Sequence, residues 1–371
     1  MRAIMDDLYI VSEGQHQQLV VRAYQNRGYT EDEALAATKM CTEATKHGNN
    51  THNALKGLHL DHVLGSGIGN WAPAAEIEVI PSRFKAVEAW NANRKLGQAV
   101  AYKAFDRCVE MAEEFGVGVV SVDNGSHYLW GAGYAIEYAR KGYIVYTNCT
   151  SSLSEVAPFG GKYPTLGTNP HTWGFPTFKE DGFPVVLDWA TSEVAMGRVQ
   201  QLKREGKKLE KADWALDRDG KPTDDPNEVF ALQTFGRHKG YGLCVLNELF
   251  AAVAGGSLPT IRGAENPPEG EKTTTSFYFQ VIHPEALSTG GFACGRDLAG
   301  NISAVLADIL GHGNEGCMLP GGPEHRGLQR TEKAGGLLFS AREIEGFAEI
   351  ATECGADSSA WTIENFKKFE G

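Results

Sequence analysis

No apolar run in this chain of 371 residues approaches the roughly 20 residues needed to cross a bilayer, so no membrane-spanning helix is expected. The first residues carry Asp6 and Asp7 where a signal peptide needs an apolar core, which points to a cytoplasmic protein. Clustered Lys and Arg are also missing, and the formal net charge of −12 argues against nucleic acid or an anionic membrane as partner. Cysteine is sparse: seven residues, an odd number, widely scattered and without a CxxC pair, exclude a disulfide framework and a zinc knuckle. Cys149 is expected to be a buried, inert thiol, and no metal site is expected. A dinucleotide fingerprint is lacking as well. The one Gly-rich candidate, Gly65 to Asn70 (GSGIGN), has no strand before it and the wrong spacing, so it reads as a turn. There is no internal repeat or low-complexity linker.

What is present fits a soluble globular chain, with 42% hydrophobic and 22% charged residues. Its length suggests two or three structural units, read as a helical region over 1–75, a cofactor- and substrate-binding region over 76–275, and a strand-helix region over 276–371 that packs back on the first. Periodicity predicts amphipathic helices near 13–25 and 31–45, the second opened by a capping box at Thr30 and Glu33 and closed by Gly48. Further helices are expected over 53–64, 97–115, 131–140, 193–204, 241–254, 298–310 and 341–352. Strands are expected near 77–80, 84–90 and 116–124, then at YIVYTN, VVLDWATS and SFYFQVI. This alternation predicts a mixed α/β fold with α+β character.

The stretch from Thr147 to Thr177 holds four prolines and four glycines between Pro158 and Pro176, so most of it is expected to be ordered loop of the kind that lines a site. Backbone N–H groups of Gly160, Gly161, Thr168 and Asn169 suit a pyrophosphate or amide. Lys239 beside Gly240 at a helix start suits phosphate. Three histidines, His47, His127 and His238, sit beside small residues at predicted element ends. His47 falls at a helix C-terminus, where the dipole favours an imidazolium. Asp188 ends a strand, where it either orients an imidazole or caps the next helix.

Several of these words, in order, resemble the type-2 malate/L-lactate dehydrogenase family. Thr45-Lys46-His47-Gly48 stands where the family carries Asp-Ser-His-Gly, and Ser126-His127-Tyr128-Leu129 where it carries Asn-His-Phe-Gly. Thr147-Asn148 is followed by APFGG and LGTNP, and Asp188-Trp189-Ala190-Thr191-Ser192 resembles Asp-Met-Ala-Thr-Ser. Trp214 to Asp217 with Gly220 and Pro226, HKGYGL from His238, and MLPGGPEHRG complete a series running over about residues 15 to 355.

The resemblance implies a non-Rossmann fold with a mixed central sheet, an NAD- or NADP-dependent site, and an intertwined homodimer. The reaction it implies interconverts a 2-oxo (or 2-imino) acid and a 2-hydroxy (or 2-amino) acid by hydride transfer. A proton donor is then needed near the carbonyl oxygen. His127 is assigned as general acid/base and His47 as the substrate-polarising partner, with the two roles interchangeable, and Asp188 completes the catalytic set. Thr168, Asn169, Thr191, Ser192, His238, Lys239 and Gly240, with Gly160 and Gly161, are the expected cofactor contacts.

Departures fall on the substrate side. Thr51 occupies the position of a carboxylate-clamping arginine, Lys46 replaces a serine, and Leu129 replaces a glycine. Lys46, Thr51, His52 and Thr168 are therefore the expected substrate contacts, with Lys46 holding an anionic small-molecule substrate and extra hydroxyl groups preferred over malate or lactate. Two other readings stay open: a binding or regulatory protein that keeps the fold without turnover, and an oxidoreductase for a polyhydroxylated sugar acid.

Overall fold

A computed structural model describes residues 7–177, 182–262, 264, 266–288 and 291–371. The chain runs β1 (Leu8–Val11), α1 (Glu13–Asn26), α2 (Glu31–Lys46), α3 (Ala54–Leu64), β2 (Glu78–Ile80), β3 (Val87–Asn91), α4 (Gly97–Phe115), β4 (Val117–Gly125), α5 (Gly131–Arg140), β5 (Ile144–Cys149), β6 (His171–Phe175) and β7 (Val185–Trp189). It continues through α6 (Met196–Glu205), β8 (Ala215–Leu216), β9 (Ala231–Leu232), α7 (His238–Ala254), β10 (Thr275–Ile282), α8 (Pro284–Leu287), α9 (Leu298–Leu310), α10 (Gly322–Ala334), β11 (Leu337–Ser340), α11 (Ala341–Glu353) and β12 (Lys367–Lys368).

The central sheet has seven strands in the order β2-β3-β4-β10-β5-β6-β7. Its one parallel pair is β3–β4, joined through α4, and the other pairings are antiparallel. A single βαβ crossover is thus present, but it carries no glycine fingerprint and no second parallel unit follows it, so the sheet is not of the Rossmann type. Alternation along β10 sends Phe277, Phe279 and Val281 to one face, where they meet Val120 and Val122 of β4 beneath α4 and α5. The opposite face presents Tyr278, with the Phe250 ring of α7 tilted against it at 4.7 Å.

A second core joins both ends of the chain. Val20, Tyr24, Ala37 and Leu58 of the first three helices pack with Leu337, Phe339, Phe347 and Trp361. β1 pairs antiparallel with β11 and β12 in a separate three-stranded sheet. The α2 start follows the expected capping box, and Glu33 of that box also pairs with Lys95 at 2.8 Å. A smaller cluster of Val156, Leu166, Val199, Leu202 and Leu232 folds the 150–235 segment onto Cys244 of α7.

Several expectations are refined or corrected. The 147–177 stretch is mostly loop, as expected, and the strand missed within it is β6 at His171–Phe175, whose Gly174 lets it pass close to Ala135 and Val145. β10, placed at the head of the C-terminal region, lies mid-sheet between β4 and β5. The segment after MLPGG is helix α10, opened by Gly321 at φ 90° and Pro323 in its first turn. The helix after VVLDWATS begins at Met196, and α7 begins three residues before the expected Tyr241.

Candidate active site

Two groups of polar side chains face the region between the helical N-terminal part and the sheet. The first surrounds His127, in the loop that leaves β4. Gly97, at the start of α4, lets that loop close in, since a Cβ there would fall within 3.0 Å of the His127 carbonyl, and the Gly97 N–H donates to Ser126 Oγ at 3.0 Å. Both ring nitrogens of His127 are buried and, among the described residues, have no hydrogen-bond partner. The imidazole is densely surrounded while the residue keeps some accessible surface, which is the situation of a group on a cleft wall. Burial lowers its pKa to about 4; Asp61 opposes this and Lys56 adds to it. His52 is likewise lowered to about 4 by burial, then by Lys56 and His127.

Leu129, two residues on, adopts φ 75°, a left-handed conformation that favours glycine. Its side chain lies 3.5 Å from the Cβ that Gly57 lacks and packs against both large cores. This contact sets α3 against the His127 loop.

The second group surrounds Asp188. Its carboxylate accepts from Thr172 Oγ1 at 2.7 Å and from the Ala132 N–H at 3.3 Å, so it caps α5 from across the sheet rather than the helix that follows it. Asp188 keeps solvent-exposed surface, yet dense surroundings push its pKa up to about 6, against the hydrogen bonds from Thr172, Ala132 and Trp130. The Trp130 ring also lies 6.0 Å from that of His47. His47 Nδ1 bonds the Glu43 carbonyl at 2.9 Å, and its Nε2 is buried without a partner among the described residues. Burial lowers the His47 pKa, with the Glu43 carbonyl and carboxylate opposing it, so the imidazolium expected from the helix dipole is not favoured. Glu324 of α10 acts on both His47 and Asp188. The three expected catalytic residues therefore divide: His47 and Asp188 share Trp130, while His127 belongs with His52 and Lys56.

The expected substrate contacts change more. Lys46 pairs with Glu13 at 2.9 Å and Glu43 at 3.3 Å, so its charge is already satisfied within the chain. Thr51 is exposed and bonds Asn49 at 2.8 Å and His52 Nδ1 at 2.9 Å. Sequence reading overlooked Lys56, half-buried and without an ion pair or hydrogen bond from its ammonium among the described residues. It also overlooked Glu155, although that is the one acid in the Thr147–Thr177 stretch.

Among the expected cofactor contacts, two backbone donors are taken: Gly161 N–H closes a turn to Pro158 at 2.8 Å, and Asn169 N–H donates to Ser151 Oγ at 3.2 Å. The Asn169 side chain is committed too, donating to Glu248 at 2.7 Å and to the Cys244 carbonyl at 3.2 Å. Thr168 Oγ1 meets Ser151 Oγ at 2.7 Å, and its carbonyl accepts from the Thr191 N–H at 2.8 Å and Oγ1 at 2.9 Å. Gly160, at φ 82°, has open space where a Cβ would sit, and neighbouring Phe159 lies 6.0 Å from His238 at the start of α7. Gly240 is buried because a Cβ would strike the Phe235 carbonyl. Lys239 is exposed with no ion pair among the described residues, and Ser192 Oγ is buried and unpartnered. The open Gly160 turn, a free ammonium at a helix N-terminus and an orphaned hydroxyl suit a dinucleotide phosphate better than a bare surface loop.

The malate/L-lactate dehydrogenase family model matches residues 11–345. The chain belongs to this family. It is 29% identical over 348 residues to the malate/(S)-sulfolactate dehydrogenase of Methanothermus fervidus, covering 93% of this chain and 98% of that one. A Δ1-pyrroline-2-carboxylate/Δ1-piperideine-2-carboxylate reductase of Pseudomonas syringae is 29% identical over 339 residues, with coverage of 90% and 94%. The structure of sulfolactate dehydrogenase from Methanocaldococcus jannaschii superposes with a TM-score of 0.76 at 27% identity, covering 96% of this chain and 99% of that one. The chain is accordingly a dehydrogenase or reductase acting on CH–OH or C=N groups.

Proposed function

We propose that this enzyme uses NADH or NADPH to reduce the 2-oxo or 2-imino group of a small carboxylic acid, and runs the reverse oxidation, with His127 moving the proton. The observation that carries this is the His127 imidazole itself, buried, neutral at pH 7 and unpartnered at both nitrogens beside a cation. The relatives' names cover malate, sulfolactate and cyclic imino acids, all of which pair a carboxylate with an adjacent reducible carbon.

A bound nicotinamide would supply the hydride. Lys239 with the start of α7, the Gly160–Gly161 turn, Thr168, Thr191, Ser192 and His238 would hold the dinucleotide. The protein's own task is the proton: an anionic substrate entering the cleft raises the His127 pKa, so the imidazole takes up a proton as substrate binds and gives it to the developing alkoxide. His47 and Asp188, linked through Trp130, would line the opposite wall and orient the substrate.

The homodimer is part of the same proposal. Leu246, Leu249, Phe250 and Val253 of α7 are exposed, as are Trp173 and Phe175 of β6 and Leu187 of β7, and α9 buries none of its residues in the single chain. So much uncovered apolar surface on neighbouring elements fits a self-association face. No helix among the described residues is long and apolar enough to cross a membrane, and all seven cysteines are free thiols, in keeping with a reducing cytoplasm.

The test is a screen of 2-oxo, 2-imino and 2-hydroxy acids with both cofactors. Turnover of a carboxylated substrate is expected. Cofactor binding without turnover of any of them would overturn the proposal in favour of a binding protein.

A further inference from the structure

Resting on that reading of the site, we propose that Lys56 is the cation that receives the substrate carboxylate, and that Glu155 facing it selects substrates whose far end carries hydrogen-bond donors over those with a second anion.

Elsewhere in the interior, cations are neutralised locally. Lys95 pairs with Glu33 at 2.8 Å, Arg262 with Glu248 at 2.6 Å and Arg27 with Asp61 at 2.8 Å, each carboxylate well shielded from solvent. Lys56 is half-buried like Arg27, yet its ammonium has neither an ion pair nor a hydrogen bond among the described residues. A desolvated charge left unpaired is costly, and an incoming carboxylate would remove that cost.

Position singles out the same residue. Asn53 caps α3 by accepting the Lys56 N–H at 3.2 Å, which fixes Lys56 in the first turn. The next residue, Gly57, is where Leu129 of the His127 loop packs against the helix. Lys56 is therefore one residue from the contact between α3 and the loop that carries His127, whose two ring nitrogens are buried and open to a ligand. Lys56 is the cation that perturbs both His52 and His127, which places it within electrostatic reach of each.

Glu155 comes from the other side. Its backbone is pinned by its N–H to the Leu166 carbonyl at 2.9 Å and by its carbonyl to the Leu232 N–H at 2.7 Å. Its carboxylate has no hydrogen bond or ion pair among the described residues, and Lys56 is the charge that acts on it. Burial drives Lys56 towards its neutral form and Glu155 towards its protonated form, and each partly restores the other's charge without forming a direct pair. The gap between them takes a molecule that is anionic at one end and donor-bearing at the other. A dicarboxylate would set its second charge against Glu155, whereas a hydroxyl or ammonium there would be accepted.

The experiment uses the full chain with NADH or NADPH and two 2-oxo acids of matched length, oxaloacetate and 4-hydroxy-2-oxobutanoate, together with Kd for the unreactive anion oxalate in the presence of cofactor. Lys56→Met should raise KM for both acids and weaken oxalate by at least about tenfold, with a smaller change in kcat, and Lys56→Arg should recover part of the loss. Glu155→Gln should shift the kcat/KM ratio towards oxaloacetate by about threefold or more. Unchanged KM and oxalate affinity in Lys56→Met, or no oxalate binding by the parent protein, would overturn the Lys56 assignment; an unchanged ratio in Glu155→Gln would overturn the selectivity. Should Lys56→Met not fold, Lys56→Arg and Glu155→Gln still decide, since an oxalate Kd and acid preference identical to the parent in both contradict the proposal. If the parent turns over neither acid nor any other in the wider screen, the reading of function fails, while the oxalate comparison still judges Lys56.

Discussion

Thr172 and Asp188 are direct partners across the antiparallel β6–β7 pair, and the Thr172 hydroxyl donates to the Asp188 carboxylate at 2.7 Å. That bond aims the carboxylate at the start of α5, and it exists because residue 131 is glycine: a Cβ there would fall within 3.0 Å of Thr172 Oγ1. Gly131→Ala is therefore expected to lower stability by about 1–3 kcal/mol and to reduce turnover by displacing Asp188. A urea midpoint equal to that of the parent would contradict the packing described.

His127→Ala should lower turnover by about a hundredfold or more while leaving the Kd for NADH or NADPH nearly unchanged, as read by energy transfer from tryptophan. Because the free imidazole titrates at about 4, the fraction protonated grows as pH falls from 7 to 5, and kcat/KM for reduction should rise with it. Oxidation, which needs the neutral ring, should not share that rise. Asp188 at about 6 titrates in the same window, Glu155 is raised by burial, and Lys56, Asp61 and His52 also act on the imidazole or its neighbours, so the comparison is with His127→Ala, in which the rise should vanish.

Acid should destabilise the fold well above the ordinary carboxylate range. His16, held at about 3, and His52 and His127, at about 4, remain neutral in the folded protein, whereas in the unfolded chain they take up protons near 6.5. The unfolded state then binds more protons as pH falls from 6.5 towards 4, so stability drops in that window. Asp188 and Glu155, both raised, work the other way but number fewer. A net excess of one proton corresponds to about 1.4 kcal/mol per pH unit. Urea midpoints at pH 7, 6 and 5 should decline; a flat or rising series would show that these imidazoles are not buried neutral.

Lys46→Met is expected to leave kcat and KM within about twofold of the parent, because a partly exposed pair with Glu13 and Glu43 contributes little beyond the helix end. A tenfold loss in kcat/KM would return Lys46 to the substrate.

Elements with strong local signals were legible in the sequence. The capping box at Thr30 and Glu33, the periodic helix α4 and the alternating β10 appear where expected. β1, β11 and β6 were not, since β1 and β11 are four residues each and β6 lies among prolines and glycines, so their pairing is decided by distant partners. At the candidate site, family words located His47, His127 and Asp188, but residue types could not tell which lysine was already neutralised. That difference rests on Glu43, one turn earlier on α2, and on Glu13 of α1, which only the packing of the two helices brings to Lys46. Leu129 was legible only as a departure from the family resemblance; its left-handed φ of 75° was not legible at all.

The small sheet that pairs β1 with β11 and β12 has a consequence in time. Tyr9 faces Phe339 on one side and Lys368 on the other, more than 300 residues later in the chain. On a ribosome, β1 emerges long before either neighbour, and the helices it accompanies must wait with part of their apolar surface uncovered until β11 and β12 have been made. His47 closes one of those helices, so its surroundings are completed only after β11 has emerged, and a chain cut short anywhere before β11 would be left with an unsealed N-terminal core.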